Sequence, residues 1–104
     1  MNEKIMQGTT PTIRISFPYN PSDVTALNVA FVQGKEIKAY KDKNAVTFEE
    51  GNVVINLTER ETLGFKKGFI KMQLRFATYD KAYATEEMLI PVLEALYKGA
   101  LTNG

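Results

Sequence analysis

Apolar and polar residues alternate with a period of two along most of the chain. In residues 12–17, Ile13, Ile15 and Phe17 fall on one side and Thr12, Arg14 and Ser16 on the other, which predicts a strand with one buried face. The alternation recurs in 25–33, with Leu27, Val29 and Phe31 inward and Asn28 and Ala30 outward, and more weakly in 36–41. Residues 45–49 offer Val46 and Phe48, and 53–57 place Val53, Ile55 and Leu57 on one side. The strongest run is 69–76, where Ile70, Met72, Leu74 and Phe76 oppose Lys71, Gln73 and Arg75. A helix would spread those charges around its circumference, so a strand is predicted. A last strand begins near Ala82 and reaches about residue 90 to 93. Pro91 suits an edge strand or the start of a short helix stopping at Gly99, so residues 92–104 are expected as an irregular or briefly helical tail.

Turn chemistry separates these runs. Pro18, Asn20, Pro21, Ser22 and Asp23 form a loop, Gly34 suits a tight hairpin, and Glu49-Glu50-Gly51-Asn52 and Thr78-Tyr79-Asp80-Lys81 suit turns. About seven short strands with turn signals roughly every 8–12 residues predict an all-β, antiparallel sandwich or small barrel, of which the sandwich is the reading adopted.

One stretch breaks the alternation. In "NLTERETLGFKKG", residues 56–68, Thr58 can cap a helix by accepting from the Glu61 N–H, and the Glu61 carboxylate can reach back to the Thr58 N–H. Glu59 and Glu61 lie where a helix dipole favours negative charge. Gly64 is expected to end the helix in a left-handed conformation, and Gly68 to turn the chain into the next strand. Leu57, Leu63 and Phe65 are expected to point into the core. A connection of this length predicts a crossover between sheets, like the short helical turn before the penultimate strand of immunoglobulin-like domains. Thr58, Glu61, Gly64 and Gly68 therefore read as a structural corner spanning 58–64 and the turn after it.

Composition narrows the chemistry. The chain has 104 residues, 44% of them hydrophobic, enough for one core and one domain. Cysteine and histidine are absent. Disulfides, thiolate metal sites, cysteine nucleophiles and a histidine base are thereby excluded. The two serines, Ser16 and Ser22, lack a glycine-flanked elbow. Glu49-Glu50 and Glu86-Glu87 read as solvated charges rather than an acid–base pair. No closely spaced acidic loop for a metal and no glycine-rich phosphate loop occurs. No catalytic, cofactor-binding or metal-binding residue is expected, and an enzyme is not expected. Net charge is +1. Glu36 and Asp42 dilute the cluster Lys35, Lys38, Lys41 and Lys43, so neither nucleic acid nor membrane is an expected partner. No signal-like or membrane-length apolar run is seen, and cytoplasmic synthesis is the expectation.

Two features suggest contacts with other molecules. The outward residues Arg14, Lys71, Gln73 and Arg75 form a candidate interaction face or an ordinary wet one. In the tail, Leu93, Leu96, Tyr97 and Leu101 are expected to pack on their own sheet, with packing on a neighbouring subunit as the alternative. Tyr19, Tyr40, Tyr79 and Tyr83 lie in or near loops. They could offer stacking platforms to a carbohydrate or other ligand, or could cover the ends of the core.

Taken together, "QGTTPTIRISFP", "LTERETLGFKKG" and "IKMQLRF", with a final strand closing the domain, resemble a family of small phage and prophage proteins of Firmicutes such as the clostridia. That family typically carries a start like Q-G-T-T-P-T and a middle like L-T-x-E-E-T-L-x-F-x-x-G. The resemblance covers most of the chain. Arg60 departs from it, standing where an acidic or polar residue is expected, and nothing functional follows from that. The resemblance implies an immunoglobulin-like sandwich and a virion-structural or accessory role in head–tail joining, tail or baseplate. It supplies no catalytic residues. The implied partners are other phage structural proteins or further copies of the chain, made in the cytoplasm of a bacterial host and incorporated into the virion.

Overall fold

The structure, a computed structural model of the chain, describes residues 4–101. The fold is an all-β sandwich of two sheets. In chain order the elements are β1 (Ile5–Met6), β2 (Thr12–Ser16), β3 (Val24–Gln33), β4 (Glu36–Asp42), β5 (Thr47–Glu49), β6 (Asn52–Asn56), α1 (Glu59–Leu63), β7 (Gly68–Thr78), β8 (Ala82–Ala84) and β9 (Met88–Leu93). Single 3₁₀ turns occupy Pro21–Asp23 and Lys43–Ala45. The larger sheet runs β1-β9-β7-β3-β4, with β8 also paired to β7, and the smaller runs β2-β6-β5. Without β1 and β8, this is the B-E-D sheet facing the G-F-C-C′ sheet of the immunoglobulin-like plan.

The predicted inward faces form the core. Ile13, Ile15 and Phe17 from one side meet Leu27, Val29, Phe31, Ile70, Met72, Leu74 and Phe76 from the other, with Val53, Ile55 and Leu57 completing the layer. Each fully buried large side chain in such a layer contributes about 1.5–3 kcal/mol. The larger sheet is organised around β7, which is hydrogen-bonded to β3, β8 and β9.

The hairpins follow from their turn residues. Gly34 takes φ +61 at the first central position between β3 and β4, the glycine-first pattern of a type II′ turn. Between β5 and β6 both central residues are left-handed, Glu50 at φ +49 and Gly51 at φ +80, as a type I′ turn requires. Gln33 clips the entry to β7: its side chain donates to the Lys66 carbonyl and accepts from the Lys66 N–H, both at 2.7 Å.

Several details differ from the sequence expectation. Nine strands form among the described residues where about seven were expected, because β1 is an addition and the last run divides into β8 and β9. The sandwich is not wholly antiparallel, since β1 runs parallel to β9, with Ile5 opposite Val92. The weak alternation in 36–41 has a cause. The β3–β4 register shifts between Phe31 and Val32, leaving Lys38 as the extra residue of a bulge. After Leu93 the chain is irregular and not helical, and positions 102–104 of the expected tail lie outside the described residues.

Glu50 is the only non-glycine residue at positive φ among those described, and a side chain with a Cβ is strained there by about 1 kcal/mol. Glu50→Asn is expected to raise the urea midpoint, by up to about 1 kcal/mol in stability, because asparagine tolerates this conformation and Asn-Gly is the preferred pair for the turn.

Candidate functional site

The helical corner is built as its sequence implies at the start and differently at the end. The Thr58 hydroxyl accepts from the Glu61 N–H at 3.1 Å and the Glu61 carboxylate accepts from the Thr58 N–H at 2.8 Å, a complete capping box. Gly64 is not left-handed: at φ −78 and ψ −11 it continues the helical twist, and its N–H donates to the carbonyls of Arg60 and Glu61. A five-residue helix thus ends by tightening its own last turn. The left-handed residue comes later, at Gly68 with φ +128, where β7 begins. Leu57 and Phe65 are buried, whereas Leu63 is only half-buried and lies against Gly8. The corner carries the chain from the smaller sheet to the larger, as expected.

Four groups tie the corner to the rest of the chain through contacts that the sequence pattern did not show. Thr62 is fully buried, and its hydroxyl donates to the Thr9 carbonyl at 2.8 Å and accepts from the Thr9 N–H at 3.1 Å. Gln7 is also buried: its amide donates to the Phe65 carbonyl at 2.7 Å and its oxygen accepts from the Ala95 N–H at 3.0 Å. The buried Glu59 carboxylate accepts from the Leu101 N–H at 2.8 Å. Lys41 reaches across from β4 to Glu61 at 2.8 Å. The "QGTT" and "TERETLGF" segments therefore hold each other. Among the described residues no buried side-chain nitrogen or oxygen lacks a hydrogen-bond partner.

The expected outward row does not form one face. Lys71, Gln73 and Arg75 lie on the outer face of the larger sheet, but Arg14 lies on β2 of the smaller sheet, across the ladder from Val54. Ile13 on β2 and Met72 on β7 both enter the shared core, so their outward neighbours point to opposite sides of the sandwich. Gln73 is half-buried, donating to the Thr85 carbonyl at 2.9 Å, and Lys71 lies 3.7 Å from Glu87.

Around Lys71 the outer face of the larger sheet is apolar. The ladder sets Ile37 beside Val32, Val32 beside Lys71 and Lys71 beside Leu89, with Tyr40 beside Ala30 one row away. Phe69 stands opposite Pro91, and Met6 opposite Leu93. Ile37, Phe69 and Leu89 are each 63% exposed. The sequence carried a trace of this: Phe69 has the same parity as Lys71, and Met88, Leu89 and Ile90 are apolar on both faces of one strand. The tail adds to the exposed apolar surface. Leu96, Tyr97 and Leu101 are exposed rather than packed on their own sheet, which corrects that expectation, because the tail is held by its backbone N–H groups.

The four loop tyrosines divide. Tyr40 is on the outer sheet face, whereas Tyr19, Tyr79 and Tyr83 meet at one end of the sandwich. Among the described residues, no cluster of three or more carboxylates that could hold a metal is present, and no helix is long and apolar enough to cross a membrane.

Two expectations concern the corner. Thr58→Ala is expected to lower stability by about 0.5–2 kcal/mol, the usual cost of a lost cap, measured by urea unfolding. Partial burial opposes ionisation of Glu61, but hydrogen bonds from Lys41 and Thr58 outweigh it and hold the carboxyl below its ordinary value. A carboxyl more acidic in the folded than in the unfolded chain stabilises the fold above the unfolded value of about 4.3. That contribution is lost as pH falls from there through the folded value. Glu61→Gln is expected to flatten this part of the pH–stability curve, checked by thermal melts from about pH 6 to about pH 2.5.

In comparisons with protein-family models, curated proteins and solved structures, no match to this chain was found.

Proposed function

We propose that the protein is a non-enzymatic structural module that pairs with a second copy of itself through the outer face of its larger sheet. In line with the motif resemblance, it serves as a component of a phage or prophage particle. The observation that carries the interaction is the exposed apolar face around Ile37, Tyr40, Phe69 and Leu89, with Met6 and Leu93 at its margin. At roughly 100 Å² for each half-exposed large side chain, the patch reaches about 500–600 Å². A protomer contributes about 800 Å² to an interface of standard size. Sheets that meet face to face interdigitate such side chains at a spacing of about 10 Å.

Charge favours a second copy as the occupant. Lys71 and Glu87 stand side by side within the patch. A two-fold axis between them sets Lys71 of one copy against Glu87 of the other, so the face complements itself. The absence of cysteine and histidine from the chain supports the non-enzymatic part of the reading.

Light scattering on the full chain is expected to give a dimer at tens of micromolar (order of magnitude for a modest interface). The double variant Phe69→Ser, Leu89→Lys is expected to give a monomer whose urea midpoint matches that of the unaltered chain when both are measured at concentrations too low for pairing, since neither side chain belongs to the core. A monomer at every concentration, or a variant that still dimerises, overturns the self-pairing. Terminase, portal or tail genes beside its gene support the particle assignment, and a metabolic operon overturns it.

A further inference from the structure

The end of the sandwich where β2 leads into β3 and β7 into β8 carries a second feature, independent of the sheet face. The loop through Tyr19 and Asp23 and the turn through Tyr79 and Asp80 border a hollow of about 460 Å³ that Thr25 and Tyr83 also line. Both walls are braced. Asn20 caps the 3₁₀ turn by accepting from the Ser22 N–H at 3.1 Å, and the Thr78 N–H donates to the Lys81 carbonyl at 2.8 Å across the other turn. The Thr25 hydroxyl ties the two walls by donating to the Ala77 carbonyl at 3.2 Å.

The aromatic lining has two parts with different explanations. Tyr19 and Tyr83 rest on buried rings: Tyr19 lies 5.0 Å from Phe76, and Tyr83 stacks on Phe76 at 4.9 Å with 17° between planes. They cover the end of the core, and that packing fixes their positions. Tyr79 covers nothing. It is 96% exposed at the tip of its turn.

The geometry points to a saccharide-binding site in this hollow, with Tyr79 as its stacking platform and Asp23 and Asp80 as acceptors for ligand hydroxyls. The lining selects among ligand classes by its charge and polarity. Two carboxylates and no cation repel phosphate, sulfate and acidic sugars. Phenols and carboxylates are wasted on a purely apolar ligand, since their hydration is lost without replacement. A neutral sugar offers both complements: hydroxyls around the ring edge to donate to the carboxylates, and an apolar C–H face to lie on a tyrosine ring. An organic cation would also meet carboxylates and ring faces, but it would leave the phenol hydroxyls without a partner on the ligand.

The site stands or falls apart from the proposed dimer. Phe69 and Thr78 lie at opposite ends of β7, about 30 Å apart along an extended strand, and the two sets of residues do not overlap.

The test is a glycan array of neutral, sialylated and sulfated glycans probed with the full chain, followed by saturation-transfer NMR with the best neutral glycan. Binding of a neutral glycan is expected, with sialylated and sulfated forms weaker. Tyr79→Ala is expected to weaken it by at least about tenfold with no change in melting temperature. Asp23→Asn with Asp80→Asn is expected to weaken it while admitting acidic glycans. No bound neutral glycan, undiminished binding by Tyr79→Ala, or displacement of the glycan by millimolar choline in place of free sugar overturns the assignment.

Discussion

Buried backbone polar groups must find partners, and this requirement organises the molecule around Gln7 and Thr62. A crossover between two sheets interrupts the strand ladders, so the carbonyls and N–H groups at the crossing have no neighbouring strand to pair with. Side chains from distant parts of the sequence supply what is missing. Gln7 serves the Phe65 carbonyl and the Ala95 N–H, and Thr62 serves both backbone groups of Thr9. The start of the chain, the helical corner and the tail are thereby fixed to one another. Gly8 allows the closeness: a Cβ there would come within 3.3 Å of Leu63, and its φ of +76 suits glycine. The "QGTT" and "TERETLGF" segments are thus in contact although more than fifty residues separate them.

The sheets are unequal, and the inequality shapes the surface. A three-stranded sheet covers the inner face of the larger one, and none of the described residues covers the outer face around Phe69 and Leu89. That face nonetheless carries isoleucine, phenylalanine, leucine and tyrosine at positions where a solvated sheet would carry threonine or charge. The bulge at Lys38 breaks the regular ladder on β4, the edge strand of the larger sheet, which disfavours strand addition there.

Inward faces were legible in the sequence because burial imposes a period of two, and Ile70, Met72, Leu74 and Phe76 occupy the positions that the period assigns. The same rule says which side of a strand a residue takes but not which sheet the strand joins, which is why Arg14 was grouped with Lys71 and Arg75. β1 was invisible because two residues have no period. The end of α1 misled because a glycine after a helix usually marks a left-handed cap, whereas so short a helix closes on its own carbonyls. The tail misled because its apolar residues suggested packing, while the hydrogen bonds that hold it come from Gln7, which gave no pattern, and Glu59, whose sequence reading concerned only the helix dipole. The hollow at the tyrosine end needed the fold itself, since Tyr19 and Tyr79 become neighbours only when β3 and β7 pair.

The parallel pairing of β1 with β9 also sets an order of assembly. Ile5 finds its register only against Val92, so the earliest of the nine strands to leave the ribosome has no partner until the last has emerged. The hairpins β3–β4 and β5–β6 can close as they appear, each within a few residues of its turn. Gln7 must wait for both the corner and the tail. In this sandwich the first strand thus depends on the longest-range pairing of the larger sheet, the kind of contact that is slowest to close.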